Sequence, residues 1–139
     1  MPAEFFLDTN IFVYTFDRRD PEKQARARAL VEQALGTGDG VVSSQVVQEF
    51  LNVAVQKFER PLSDEQALRY LREVLDPLCS VFPSISLYET ALSLHRRWRF
   101  SFYDSLILAA ALESDCKVLY SEDLQDGQEI ESLTVVNPF

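Results

Sequence analysis

The chain of 139 residues has one histidine, two cysteines, four glycines and no long apolar run, and each shortage closes off a class of protein. With His95 alone and no Gly-x-Ser-x-Gly elbow, a Ser-His-Asp hydrolase has little support. His95 itself stands at helical spacing from Leu92, beside Arg96, Arg97 and Arg99, which reads as a surface position. Cys79 and Cys116 belong to no Cys-x-x-Cys or Cys/His cluster, which excludes a structural zinc site and suits two buried free thiols in a reducing cytoplasm. The longest apolar stretch, Leu106 to Leu112, is seven residues against the ~20 of a bilayer span. Met1-Pro2-Ala3-Glu4 lacks the cationic, apolar character of a leader, so no membrane is expected. Three of the four glycines fall in Gly36-Thr37-Gly38-Asp39-Gly40, which imitates half of a dinucleotide fingerprint. It follows a helix and precedes a strand, the reverse of the order a phosphate cradle needs, and reads as a helix stop and turn.

What is present is an ordinary globular composition, 47% hydrophobic and 25% charged, at a length that suits one domain over residues 1–139. Acidic residues outnumber basic ones, 22 to 13, for a formal charge of −9. That is a handicap for binding nucleic acid through a cationic patch alone. Ten of the 13 basic residues are arginine, clustered at Arg18-Arg19, Arg26 and Arg28, and Arg96-Arg97 with Arg99, a type that forks phosphate as readily as it solvates a helix face.

Short apolar runs alternate with helical periods. Strands are expected at Ala3 to Leu7, Val41-Val42, Ser80 to Phe82, Lys117 to Tyr120 and Leu133 to Val136. Helices are expected from Thr9 to Phe16, from Asp20-Pro21-Glu22 to Leu35, from Ser43 or Ser44 to Phe58, from Ser63-Asp64-Glu65 to a stop before Pro77, from Ser86 to Trp98 and from Tyr103 to Ser114. Strands that are mostly apolar throughout and separated by helices indicate an α/β fold: a three-layer α/β/α sandwich around a mainly parallel five-stranded sheet. Ligands of such sheets bind beyond the carboxyl ends of the strands, where the strand order reverses.

Acids occupy those places. Asp8 follows Phe5-Phe6-Leu7, and Ser121-Glu122-Asp123 follows Val118-Leu119-Tyr120. The helix after the second strand has an apolar stripe of Val47, Phe50, Leu51, Ala54, Val55 and Phe58, flanked by Val46 and Val53; the opposite stripe, Gln45, Gln48, Glu49, Asn52 and Gln56, keeps a single charge. Asp104 opens a helix that is apolar nearly all round, Leu106 to Leu112. Each acid alone also reads as a helix cap or turn residue. Together, four converging carboxylates cannot all ionise uncompensated, and hard cations such as Mg2+ or Mn2+ resolve the repulsion. Two such ions would bring the formal charge from −9 to −5, so an acidic metal-dependent nuclease is physically sensible.

Asp8-Thr9-Asn10, Glu49, Asp104 and Ser121-Glu122-Asp123, in this order and on these elements, resemble the PIN domain, and in size the chain is similar to VapC-type toxins. The resemblance implies an endoribonuclease in which Asp8, Glu49, Asp104 and Asp123 ligate one or two Mg2+ or Mn2+ ions and position the attacking water, with Asn10 and Ser121 supporting them by hydrogen bonds. It also implies an RNA substrate, a homodimer and a small antitoxin partner. Glu122 and Asp126 lie within reach of the fourth position; Asp123 fits the Ser-x-Asp pattern best, and Asp126, before Gly127, is a turn residue or an auxiliary ligand. A haloacid-dehalogenase-type phosphohydrolase needs Asp where Asn10 stands. The rival reading is a non-catalytic PIN-like module that binds RNA or protein, its acids capping helices. Of the aromatics that would stack on unpaired bases, Tyr14, Phe16, Phe58, Trp98, Phe100 and Phe102 have core spacings, and Tyr103 beside Asp104 is the one whose exposure matters.

Overall fold

A computed structural model describes residues 3–139; Met1 and Pro2, the start of the segment read as lacking a leader, lie outside the described residues. Six strands, β1 (Phe5–Leu7), β2 (Gly40–Ser43), β3 (Cys79–Val81), β4 (Val118–Tyr120), β5 (Glu129–Ile130) and β6 (Leu133–Val136), form one sheet in the order β3-β2-β1-β4-β6-β5. All pairings are parallel except β5 with β6. The helices that flank the sheet are α1 (Thr9–Tyr14), α2 (Pro21–Thr37), α3 (Ser44–Gln56), α4 (Asp64–Tyr70), a short α5 (Asp76–Leu78), α6 (Ile85–Trp98) and α7 (Phe102–Glu113). The sheet thus has six strands, not five. The strand missed from sequence is β5, whose two residues are too few to show alternation; its turn to β6, Glu131-Ser132, carries no Gly or Asn, and Glu131 takes the positive φ itself.

Local chemistry accounts for most boundaries. Asp20 caps α2 by accepting from the Lys23 amide at 3.2 Å, Pro21 takes the first turn, and Gly38 at φ 74° ends the helix after Thr37, two residues beyond the expected Leu35 stop. Ser63 and Gln66 form a capping box at α4. The helical path from α4 does not stop before Pro77. A π-helical turn, Leu71–Leu75, widens the helix so that the Asp76 amide bonds the Leu71 carbonyl, and Pro77 enters within the first turn of α5, where its missing donor costs little. On α3 the buried line is Val46, Phe50 and Ala54, and Val55 is 38% exposed, so the stripe is rotated from the one expected. The phase is set by aromatic packing: Phe50 meets Phe12 of α1 edge-on and stacks on Tyr70 at 4.9 Å between centroids. Helix α7 is buried from Ser105 to Ala111, as its uniform apolarity requires. The thiols are free; Cys116 is buried and Cys79 half-buried, and burial pushes both upward, Cys116 to about 12. Among the described residues no helix is long and apolar enough to cross a membrane.

Gly40 marks the closest approach of α2 to the sheet. A Cβ there would lie 2.4 Å from the Ala34 Cβ and 2.6 Å from the Phe5 ring, both buried. Gly40→Ala is therefore expected to destabilise the protein by about 1–3 kcal/mol through overpacking; urea unfolding checks it, and an unchanged midpoint would contradict the packing.

Candidate active site

The strand order reverses between β1 and β4, with β2 and β3 on one side and β6 and β5 on the other. Leu7 pairs with Tyr120, and the Asp8 amide donates to the Tyr120 carbonyl at 3.1 Å, so Asp8 and Ser121 leave the sheet side by side at the carboxyl edge. Asp8 is 7% exposed. Its Oδ1 accepts from the Thr9 amide at 2.7 Å, capping α1, and its Oδ2 accepts from the buried Ser121 hydroxyl at 2.7 Å.

Asn10 and Thr9 connect this carboxylate to two others. The Asn10 amide donates to Asp123 Oδ2 at 2.9 Å, and the Asp123 backbone N–H donates to Ser121 Oγ at 3.2 Å. Thr9 Oγ1 donates to Glu49 Oε2 at 3.0 Å, while Gln45, one turn earlier on α3, donates to Glu49 Oε1 at 2.7 Å and also to the Tyr103 carbonyl at 3.2 Å. Asp104 follows Tyr103 in the first turn of α7, where its amide donates to the capping Ser101 hydroxyl at 3.1 Å. Among the described residues no hydrogen bond joins its carboxylate to the other three acids; the link between α3 and this turn is the Gln45 bridge from Glu49 to the Tyr103 carbonyl. The other two acids near β4 face elsewhere. Glu122 pairs with Lys23 at 2.8 Å, and this partner holds it below the ordinary carboxylate range. Asp126 accepts from the Asn137 amide at 2.8 Å and ties down the chain after β6.

Thr9 and Gln45 were not singled out from sequence. The sequence carries a signal for Gln45, which lies four residues before Glu49 on the amide-rich face; Thr9 lies inside Asp8-Thr9-Asn10 but is a neutral hydroxyl between a carboxylate and an amide. The half-burial of Gln45 and Glu49, against exposed Gln48, Asn52 and Gln56, divides that face into a site half and a solvent half.

Burial drives the Asp8 carboxyl up to about 6, against the hydrogen bonds from Ser121 and Thr9 and with added repulsion from Asp123 and Glu49. Every partner of these acids is neutral; among the described residues no Lys, Arg or His pairs with Asp8, Glu49, Asp104 or Asp123. The donor set, carboxylate oxygens around one desolvated acid without a counter-cation, fits a hard divalent ion in chemistry. Among the described residues, however, no three His, Cys, Asp or Glu are grouped closely enough to hold a metal together.

The folded chain keeps the Asp8 proton up to about pH 6, whereas the ordinary value is 3.8. The folded state therefore binds the extra proton between those values, and the stability contributed by Asp8 falls as pH rises through that window. A shift of this size corresponds to about 3 kcal/mol. Asp8→Asn, which keeps the cap, is expected to be more stable than wild type by up to that amount above neutral pH in chelator, the gap closing below about pH 4. Parallel pH–stability curves from urea denaturation would refute this.

The family model described as PIN domain matches residues 5–125. No curated protein is significantly similar to the chain in sequence. Among solved structures, the fold is shared with a toxin–antitoxin complex from Klebsiella pneumoniae, at 24% identity and TM-score 0.68 over 99% of this chain and 98% of that one. It is also shared with FitAcB from Neisseria gonorrhoeae, at 17% identity and TM-score 0.64 over 96% and 97% of the chains. VapC20 from Mycobacterium tuberculosis, a sarcin-ricin-loop-cleaving toxin, matches at 16% identity and TM-score 0.60 over 90% and 92%. The family match covers most of the chain and includes Asp8, Glu49, Asp104 and Asp123; the chain belongs to the PIN domain family.

Proposed function

We propose that the chain is a divalent-metal-dependent endoribonuclease that hydrolyses RNA phosphodiester bonds, acting as the toxin of a toxin–antitoxin pair. The observation that carries this reading is the buried Asp8 at the switch point, coupled to Glu49 and Asp123 and lacking any cationic partner. Family membership and folds shared with toxin–antitoxin complexes and an RNA-cleaving toxin support it.

Asp8, Glu49, Asp104 and Asp123 would hold Mg2+ or Mn2+, which when bound supplies Lewis acidity toward a phosphate oxygen and toward water. The chain's own contribution is positional. Ser121 and the Thr9 amide fix both oxygens of Asp8, Thr9 and Gln45 fix both oxygens of Glu49, and Asn10 orients Asp123. Helix α7, buried from Ser105 to Ala111, carries Asp104 in its first turn, where the dipole favours an anion. Asp126, bonded to Asn137, braces the chain end beside β6 in this scheme and is not a ligand.

A small antitoxin and a second copy of the chain are the protein partners of this reading, and the free, high-lying thiols suit a reducing cytoplasm. Phe82, Ile85, Tyr88 and Leu92 leave an exposed apolar strip on α6 and just before it that suits such contacts. The separation of the acid side chains favours one second reading, a non-catalytic PIN-like module binding RNA or protein.

One experiment separates the two: cleavage of single-stranded and structured RNA with Mn2+, with Mg2+ and with chelator. Wild type is expected to cut only with metal, and Asp8→Asn and Asp104→Asn to lose about 100-fold or more in rate. Mn2+ is expected to raise the melting temperature of wild type by several degrees and that of Asp8→Asn much less. RNA left intact by folded wild type with either metal, or cut equally by all proteins, would move the assignment to the binding module.

A further inference from the structure

Most of the exposed large apolar side chains lie away from the acidic crevice, but Tyr103 is 68% exposed immediately beside Asp104. Its neighbours hold it in place. Phe102 meets the ring edge-on at 5.8 Å, the Tyr103 carbonyl accepts from Gln45 Nε2 at 3.2 Å, and the same amide grips Glu49 at 2.7 Å. The turn beneath is closed by Ser101, whose hydroxyl accepts from the Asp104 amide and whose carbonyl accepts from Ser105 Oγ at 2.8 Å. An exposed aromatic ring is thus fixed to the carboxylate framework through its own backbone. The other aromatics near α1 are occupied: Phe16 packs against Phe50, Phe58 and Tyr70, and Tyr14 against Phe139 with Lys23 over its face.

Resting on the ribonuclease reading, we propose that Tyr103 is a stacking platform for an unpaired RNA base next to the phosphodiester at the acidic crevice, and so a specificity-determining residue. Stacking on an aromatic side chain contributes about 1–3 kcal/mol per base and tolerates any sequence, because every base has a π-face. Bases of an A-form duplex are already stacked and cannot meet the ring. The charge balance adds weight to this contact. A chain of net charge −9 gains little from displacing counterions on RNA, so base stacking carries a larger share of affinity than in a basic protein.

The test compares wild type with Tyr103→Ala, Tyr103→Leu and Tyr103→Phe. Kd for a short fluorescein-labelled single-stranded RNA and for its duplex is read by anisotropy in chelator, and KM and kcat for cleavage of the single strand are read with Mn2+. Tyr103→Ala and Tyr103→Leu are expected to weaken single-strand binding about 5- to 150-fold and to raise KM far more than they lower kcat. Tyr103→Phe is expected to match wild type, and duplex binding and melting temperature to stay unchanged. Unchanged Kd and KM in Tyr103→Ala would overturn the proposal, as would equal losses toward single strand and duplex accompanied by a lower melting temperature. A loss of self-association without loss of RNA affinity, seen by sedimentation, would assign the ring to a protein interface and overturn it too. If wild type binds but cuts no RNA while Tyr103→Ala loses single-strand affinity, the nuclease reading fails and the stacking role stands; if wild type cuts and Tyr103→Ala is indistinguishable from it, the reverse holds.

Discussion

Where β1 and β4 part, the Asp8 backbone and side chain hold four hydrogen bonds: its amide to Tyr120, its carbonyl from Ile11, and its two carboxylate oxygens from Thr9 and Ser121. This one residue ends a strand, starts a helix and joins neighbouring strands across the reversal in sheet order. Burial makes its negative charge expensive, and the neutral donors offset only part of that cost, leaving the carboxyl near 6. A purely structural residue in this place would do better as Asn, which caps helices equally well without a charge to desolvate. A carboxylate in so unfavourable a setting is what the proposed cation site rests on.

Much of the remaining structure fixes what Asp8 touches. The aromatic wedge of Phe12, Phe16, Phe50, Phe58 and Tyr70 locks α1 to α3 and α4, and with it the reach from Thr9 to Glu49. Phe50 is the residue after Glu49, so its burial sets the rotation of α3 that turns Glu49 and Gln45 toward the crevice. Basic residues are distributed to other tasks. Lys23 takes Glu122, Arg26 donates to the Pro138 carbonyl and Arg28 to the Thr15 carbonyl, so the arginine-rich start of α2 braces the fold near the site without neutralising it.

The strand-end acids were legible because uniformly apolar runs announce a parallel sheet, and an acid directly after such a run has one place to go. The acid after β4 was less distinct: Glu122, Asp123 and Asp126 sit within five residues, the Ser-x-Asp pattern favours Asp123, and their different partners, Lys23, Asn10 and the Asn137 amide, appear only in three dimensions. Spacing could not phase α3 either, since Val46 and Val47 are adjacent and equally apolar; the partner rings choose between them. The π-turn before Pro77 and the two-residue β5 escaped because both are responses to tertiary context, with no periodic signal of their own.

The four acids are not equivalent, and their differences follow from the elements that carry them. Asp8 is buried and disfavoured as an anion. Asp104 sits where the N-terminal dipole of a buried helix welcomes one, Glu49 is held by two neutral donors, and Asp123 is exposed with a single amide on it. In the proposed site a cation would offset the charge that burial makes expensive at Asp8, and Asp123, held by a single side-chain amide, would have the fewest hydrogen bonds to give up. Glu49 is tied to α7 through Gln45, whose side-chain nitrogen donates to both the Glu49 carboxylate and the Tyr103 carbonyl. The same small network ties the Glu49 carboxylate on α3 to the backbone of Tyr103 on α7, the residue that carries the exposed ring beside Asp104.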